Sequence, residues 1–266
     1  SHTYFDVPRQ VETRGRDGQK GSYLGPAYSN REFKAFLDYR EYPYSQVSDD
    51  ERAATVASAI ADGKIIGYMV GRMEYGPRSL GARSILGDAR NVDTQSIMNL
   101  KIKFRESFRP FAPSVLEAYC EEYFGLKTDS PYMLLVAPVN EDRWIISDTV
   151  IPDDGDMLPL INRPRSDIPA VTHVDYSARI QTVSPAEKPD YYAVIKEFEK
   201  LTGYGLIVNT SFNVRGEPIV ASPEDAYRCF MRTGIDMLVL ENCILIKNEQ
   251  PEFPEGEDWK DTYAVD

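Results

Sequence analysis

The residues best suited to chemistry in this chain are cations set among glycines and prolines. Arg72, Arg78, Arg83, Arg90, Lys101, Lys103, Arg105 and Arg109 fall between residues 71 and 115, although the 266 residues carry a net charge of −12. Glycines 71, 76, 81 and 87 and prolines 77, 110 and 113 interrupt them. Gly opens positive φ and Pro fixes φ, so the stretch reads as a shaped loop rather than a solvated basic helix. Arg presents a planar fork and Lys a point charge, both suited to phosphate or carboxylate. Arg78 in the Tyr75-Gly76-Pro77-Arg78 turn, Lys103 and Arg109 are the candidate ligand cations, and Phe104, Phe108 and Phe111 are placed to pack behind them. The remaining cations frame the loop. The competing explanation is a surface patch of Arg engaged in ordinary ion pairs.

Two further groups of residues could complete such a site. Asn209-Thr210-Ser211-Phe212-Asn213 follows the apolar run Leu206-Ile207-Val208. The carboxyl end of a strand is where α/β folds place ligand contacts. In an extended segment Asn209, Ser211 and Asn213 share one face; the alternative is a turn that spends Asn and Ser on local backbone bonds. Arg179 lies in the strand-like run Thr172 to Arg179, where a cation is costly without an anion. His173 beside Asp175 has no Ser, Cys or metal partner in view, and a structural role suits it better than that of a general base.

These residues need elements to position them. Ser48 followed by Asp49, Asp50 and Glu51 starts a helix whose apolar face is Ala53, Val56, Ala57 and Ile60. Ser29 or Asn30 is placed to cap a short helix from Arg31 to Leu37. Ile65 to Val70 reads as a buried strand leading into the basic loop. Asp93 to Leu100 and Val115 to Phe124 read as helices, the second begun by Pro113-Ser114. Tyr132 to Val139 and Ile168 to Val183 read as strands, with a polar insertion at 140–167 between them as a flexible loop or lid. An amphipathic helix follows over Pro189 to Leu201, then the Leu206–Val208 strand and a Ser222-capped helix over Pro223 to Arg232. Strands Met237–Leu240 and Ile244–Ile246 finish the core. Strands and helices alternate without repeat, which predicts an α/β or α+β sheet with helices on its faces. Residues 1–47 read as a linker or the tail of a preceding domain, 48–247 as the folded domain, and 248–266 as an acidic tail.

Composition narrows the function. A hydrophobic fraction of 42% supports a real core. A pI of about 4.8 argues against a nucleic-acid partner, whose binding rests on phosphate neutralisation. No apolar run reaches the length that spans a bilayer. Cys120, Cys229 and Cys243 are odd in number and lack C-x-x-C spacing, which fits reduced thiols in a cytoplasmic protein. With only His2 and His173, an all-protein zinc site is not expected, and no metal ligand is assigned.

Four stretches, YGPRSLGARSIL, IKFRESFRPFAPSVL, PAVTHVDYSARIQTV and TGYGLIVNTSFNVRGEPIV, with the following SPEDAYRCF and D-M-L-V-L, resemble the C-terminal domain of the NodU/CmcH-type O-carbamoyltransferases. The likeness runs from about residue 45 to 247, with Ser79 and Ala82 standing where Ala and Asn are usual. The resemblance implies a YrdC-like fold, a twisted mixed sheet with helices packed on its faces. It implies that this domain joins carbamoyl phosphate and ATP, with Mg²⁺, into carbamoyl adenylate and releases pyrophosphate. A separate N-terminal domain of the same parent protein, holding a metal through histidines, would then pass the carbamoyl group to an acceptor hydroxyl. Arg78, Lys103, Arg109, Arg179, Asn209, Ser211 and Asn213 carry over as contacts to substrate or nucleotide, with Lys103, Arg109 and Ser211 the candidate catalytic residues. Lys103 with Ser211 and Asn213 also resembles the basic-plus-S-x-N arrangement of YrdC proteins. Two other functions use the same residues: a non-catalytic nucleotide- or anion-binding regulatory module, and a YrdC-like tRNA-modification protein. The acidic pI weighs against the latter.

Overall fold

The computed structural model describes residues 2–8, 18–146, 161 and 163–253. A nine-stranded mixed sheet organises them, in the order β1-β9-β8-β2-β3-β7-β4-β6-β5. The strands are β1 Ser45–Gln46, β2 Ile66–Met69, β3 Arg83–Gly87, β4 Ala112–Leu116, β5 Leu135–Pro138, β6 Ser177–Val183, β7 Leu206–Ser211, β8 Met237–Leu240 and β9 Cys243–Ile246. β2 runs parallel to β8 and β4 parallel to β6, while the other neighbours are antiparallel. Seven helices accompany the sheet: α1 His2–Phe5, α2 Asn30–Tyr39, α3 Asp49–Ala61, α4 Thr94–Met98, α5 Cys120–Phe124, α6 Pro189–Thr202 and α7 Pro223–Arg232. This is the mixed α/β architecture that the alternation of elements predicts. No helix among the described residues is long and apolar enough to cross a membrane.

Both faces of the sheet are apolar. On one, α3 and α6 pack against each other and bury Val56, Ile60, Val194 and Phe198 over Tyr68, Leu86, Leu116 and Ile207. On the other, Phe33 and Leu37 of α2 and Tyr227 and Phe230 of α7 join Ile85, Val115, Ile180 and Val208. Full capping boxes start three helices, Ser29 with Glu32, Ser48 with Glu51 and Ser222 with Asp225. Gly203, at φ 80°, ends α6 in the left-handed conformation that Gly adopts without penalty.

Several elements differ from the sequence reading. The stretch 71–115 is not one loop, because β3 crosses it at the sheet centre with all five residues buried. The helix expected from Val115 is β4 instead, followed by a 3₁₀ turn at Glu117–Tyr119 before α5 begins. A short apolar run looks the same in a buried strand and a buried helix, and Pro113 imitated a helix start. The strand expected over Ile168–Val183 is confined to β6, with a 3₁₀ turn at Pro169–Val171 before it. β5 is likewise shorter than Tyr132–Val139.

The amino-terminal segment read as a linker supplies part of the fold. Gly25 N donates to Met73 O and Met73 N to Pro26 O, each at 2.9 Å. α2 is buried through Phe33 and Leu37, and β1 pairs with β9. The insertion at 140–167 is pinned at both ends: Ile145 N bonds Arg165 O at 2.8 Å and Asp167 N bonds Arg143 O at 3.2 Å. Its middle, at 147–160 and 162, lies outside the described residues, as does 254–266 of the acidic tail.

Candidate functional site

One face of β7, β4 and β6 changes character along the strands. Ile207, Leu116 and Val183 lie under the α3–α6 layer. Next along each strand come Asn209, Ser114 and Gln181, buried and polar. Asn209 Nδ2 donates to Gln181 Oε1 at 2.8 Å, and Ser114 Oγ donates to the same oxygen at 2.6 Å. The polar row also fixes the loop above it, because Asn209 Nδ2 bonds Ser79 O at 3.1 Å and Gln181 Nε2 bonds Leu80 O at 2.9 Å. One residue further in the alternation stand Ser211 and Arg179, where the sheet opens to solvent.

Buried charges shape the loop that carries Arg78. Glu74 Oε1 accepts from Leu80 N at 2.6 Å, Ala82 N at 2.7 Å and Arg83 N at 3.3 Å. Arg83, fully buried, donates from its guanidinium to the carbonyls of Gly71, Ala82 and Pro26. Arg83 is thus a framework residue, and Arg78 is exposed at the tip of the turn that this framework holds.

The second wall is a π-turn, Asn99–Lys103, ending in Phe104 at φ 48°. Lys103 is 4% exposed, and its Nζ reaches Ser211 O at 2.5 Å, Ser211 Oγ at 3.2 Å, Asn213 O at 2.9 Å and Asn213 Oδ1 at 2.8 Å. Burial pulls this ammonium down to about 7. Asn213 Oδ1 also accepts from Ser211 Oγ at 2.7 Å, while its Nδ2 donates to Glu217 O at 2.6 Å. Asn213 therefore sits in a bend beyond the strand end rather than on a shared extended face, and its amide holds the bend. Both alternatives for the Asn209–Asn213 segment are present: Asn213 serves local bonds and Asn209 faces a cavity.

Three adjoining cavities of about 360, 180 and 190 Å³ meet here. Arg78, Arg179, Asn209 and Ser211 line the 180 Å³ cavity. Lys103, Arg109, Ser211 and Asn213 line the 190 Å³ one. Arg109 and Arg179 also border the largest. The structure thus gathers all seven sequence candidates around connected space, from segments more than a hundred residues apart. Arg105, assigned to the frame, lines all three cavities. Its Nε donates to Asn99 Oδ1 at 2.6 Å, and its guanidinium lies 4.9 Å from the centre of the Phe111 ring. Phe111 is the one aromatic of the expected three that is buried behind a cation; Phe104 and Phe108 are 36% and 39% exposed. Arg215 borders the 190 Å³ cavity and His173 the largest, neither of them a sequence candidate.

The cations press on one another. Arg105 is pulled down to about 10 by burial first and then by Arg109, with Arg215 adding to it. Burial and then Arg78 lower Arg179. Arg109 pairs with Glu106 at 2.9 Å, both half-exposed, so that pair is weak in water. Two buried polar atoms at the 180 Å³ cavity lack a hydrogen-bond partner, the Nε of Arg179 and the Oδ1 of Asn209. Buried polar groups are ordinarily satisfied, so an orphan donor and an orphan acceptor beside two guanidiniums mark a ligand position.

Comparison with known proteins agrees with the motifs. The family model described as "Carbamoyltransferase C-terminus" matches residues 57–247. An uncharacterised protein of Synechocystis sp. is 50% identical over all of this chain, which covers 43% of that protein. Nodulation protein NolNO of Sinorhizobium fredii is 40% identical over 79% of this chain and 28% of its own length. Full-length HypF, in its phosphate- and nucleotide-bound form, aligns at a TM-score of 0.41 and 16% identity over 77% of this chain and 22% of its own. The chain spans less than half the length of these relatives. The match to the family model runs through the basic loop, β6 and the Asn209–Asn213 segment, and on it the chain belongs to the carbamoyltransferase C-terminal family.

Proposed function

We propose that this chain binds carbamoyl phosphate and ATP and forms carbamoyl adenylate, which another part of a longer parent protein passes to an acceptor hydroxyl. The orphan pair at the 180 Å³ cavity carries this reading. A carbamoyl group has N–H donors for Asn209 Oδ1 and an anionic oxygen for Arg179 and Arg78, so one small ligand satisfies both orphans. In this reading water displaces phosphate from carbamoyl phosphate, giving carbamate, phosphate and a proton. A carbamate oxygen then attacks the α-phosphorus of ATP, the bond to the bridging oxygen breaks, and pyrophosphate leaves. The carbamate arrives as an anion, so the second step needs no protein nucleophile. Arg105, Arg109 and Lys103 stabilise the charge shifting onto the phosphates. Mg²⁺ would travel on the ATP phosphates: the three cavities are lined by no carboxylate, and the described residues hold no His, Cys, Asp or Glu cluster fit for a metal.

Exchange of labelled pyrophosphate into ATP, dependent on carbamoyl phosphate, tests this. The chain is expected to support it and the folded Arg179→Ala and Ser211→Ala variants to lose it. Binding of ATP by the chain without any exchange would leave a nucleotide-binding module and remove the adenylation claim.

A further inference from the structure

The three cavities differ in their walls. Those of about 180 and 190 Å³ are lined largely by cations and hydrogen-bonding groups. The one of about 360 Å³ is walled by Phe111, Ala112, Val136, Val171 and Ala178, with Arg105, Arg109 and Arg179 shared with its neighbours. An apolar slot opening directly onto a cluster of guanidiniums suits a ligand with a flat, weakly polar ring at one end and a polyanion at the other. Its volume falls in the range of about 300–1,000 Å³ that encloses ligands of that size.

One polar side chain in that slot is built to read a hydrogen bond. His173 Nδ1 lies 2.9 Å from Asp175 Oδ1, which also accepts from Ser177 N at 3.0 Å and Ser177 Oγ at 2.6 Å. The turn that holds them is closed by His173 N to Ser177 O at 2.8 Å and Tyr176 N to His173 O at 3.0 Å. Because a carboxylate only accepts, the ring proton belongs on Nδ1, and Nε2 carries the lone pair. Nε2 is then an acceptor fixed in direction by the Asp175 turn.

We propose that the 360 Å³ cavity takes the nucleoside end of a nucleoside triphosphate, and that His173 Nε2 accepts a hydrogen bond from its base or ribose. The proposal rests on the reading of the adjoining cations as a phosphate site and deepens it, and it makes His173 a specificity-determining residue.

Titration calorimetry with ATP and with inorganic tripolyphosphate, both with Mg²⁺, separates the parts. His173→Ala is expected to bind ATP about five-fold more weakly, the loss of one neutral hydrogen bond. Val136→Trp, at a position 62% exposed on the cavity wall, is expected to weaken ATP ten-fold or more by filling the slot. Both variants should bind tripolyphosphate as the parent chain does, which a general structural defect would not allow. If both bind ATP unchanged, or lose both ligands equally, the nucleoside assignment is overturned while the phosphate site stands. If the parent chain binds neither ligand, the phosphate reading falls and this proposal with it.

Discussion

At the residue scale, the site is defined by charges that the fold brings together without matching anions. Arg179 is the clearest case. Its Nε is buried without a partner and Arg78 lies close enough to depress it, so the free protein holds it at a cost. Arg179→Ala should lower affinity for tripolyphosphate ten-fold or more, as expected of a lost charge-assisted bond. Thermal stability should hold or rise, because like-charge strain is removed; a falling melting temperature would make Arg179 a structural residue instead. Lys103 gives a pH signature. Burial lowers its ammonium to about 7, so below that pH it is charged and above it neutral. A polyanion favours the charged form, so binding takes up a proton. Affinity is then greatest below pH 7 and falls as pH rises toward 9, and the Lys103→Met variant should lose this slope. Calorimetry in buffers of different ionisation heat reads the proton uptake directly. Arg179 was legible in the sequence because a cation inside an apolar strand stands out. Arg105 was not: its place depends on the Phe111 ring and on three cavities, none of which spacing reveals.

At the element scale, precision comes from the turn between β2 and β3. Glu74 satisfies three backbone N–H groups and so sets the path of Leu80 to Arg83 under the exposed Arg78. Gly81 lets that path lie against α6. It has φ +100°, and a Cβ there would overlap the ring of Tyr191, which is fully buried. Gly81→Ala should therefore destabilise the chain by about 3 kcal/mol or more, through combined backbone strain and overpacking. Denaturant unfolding measures it; a loss within about 0.5 kcal/mol, the usual range for surface substitutions, would mean that the turn moves freely and does not fix Arg78. Helix starts such as Ser48 and Ser222 were legible because a capping box is local chemistry. β3 and β4 were not, since what makes them strands is burial at the sheet centre between distant partners. Arg83, read as one loop cation among several, is a core residue for the same reason.

At the scale of the whole molecule, the sheet order interleaves early and late segments, and local patterns do not encode it. β2 pairs with β8 and β4 with β6 in parallel, across long stretches of chain. The same order explains why residues 18–46, which lack strong periodicity, belong to the domain although the family match begins at residue 57. β1 extends the sheet beside β9, α2 covers the apolar face with Phe33 and Leu37 at 1% and 0% exposure, and Pro26 O accepts from buried Arg83. Burying a Phe and a Leu contributes about 1.5–3 kcal/mol each. Leaving part of the Arg83 guanidinium unpaired adds a cost of about 1–3 kcal/mol. Against a total stability of about 5–15 kcal/mol for a typical domain, removing all of these consumes a large fraction. A chain beginning at residue 47 should therefore unfold at a much lower denaturant midpoint, or fail to fold, and should lose tripolyphosphate binding because the Arg78 turn leans on Arg83. Equal midpoints for the shortened and parent chains would show that this segment rests on the domain without supporting it, and that the site is held by the sheet from β2 onward.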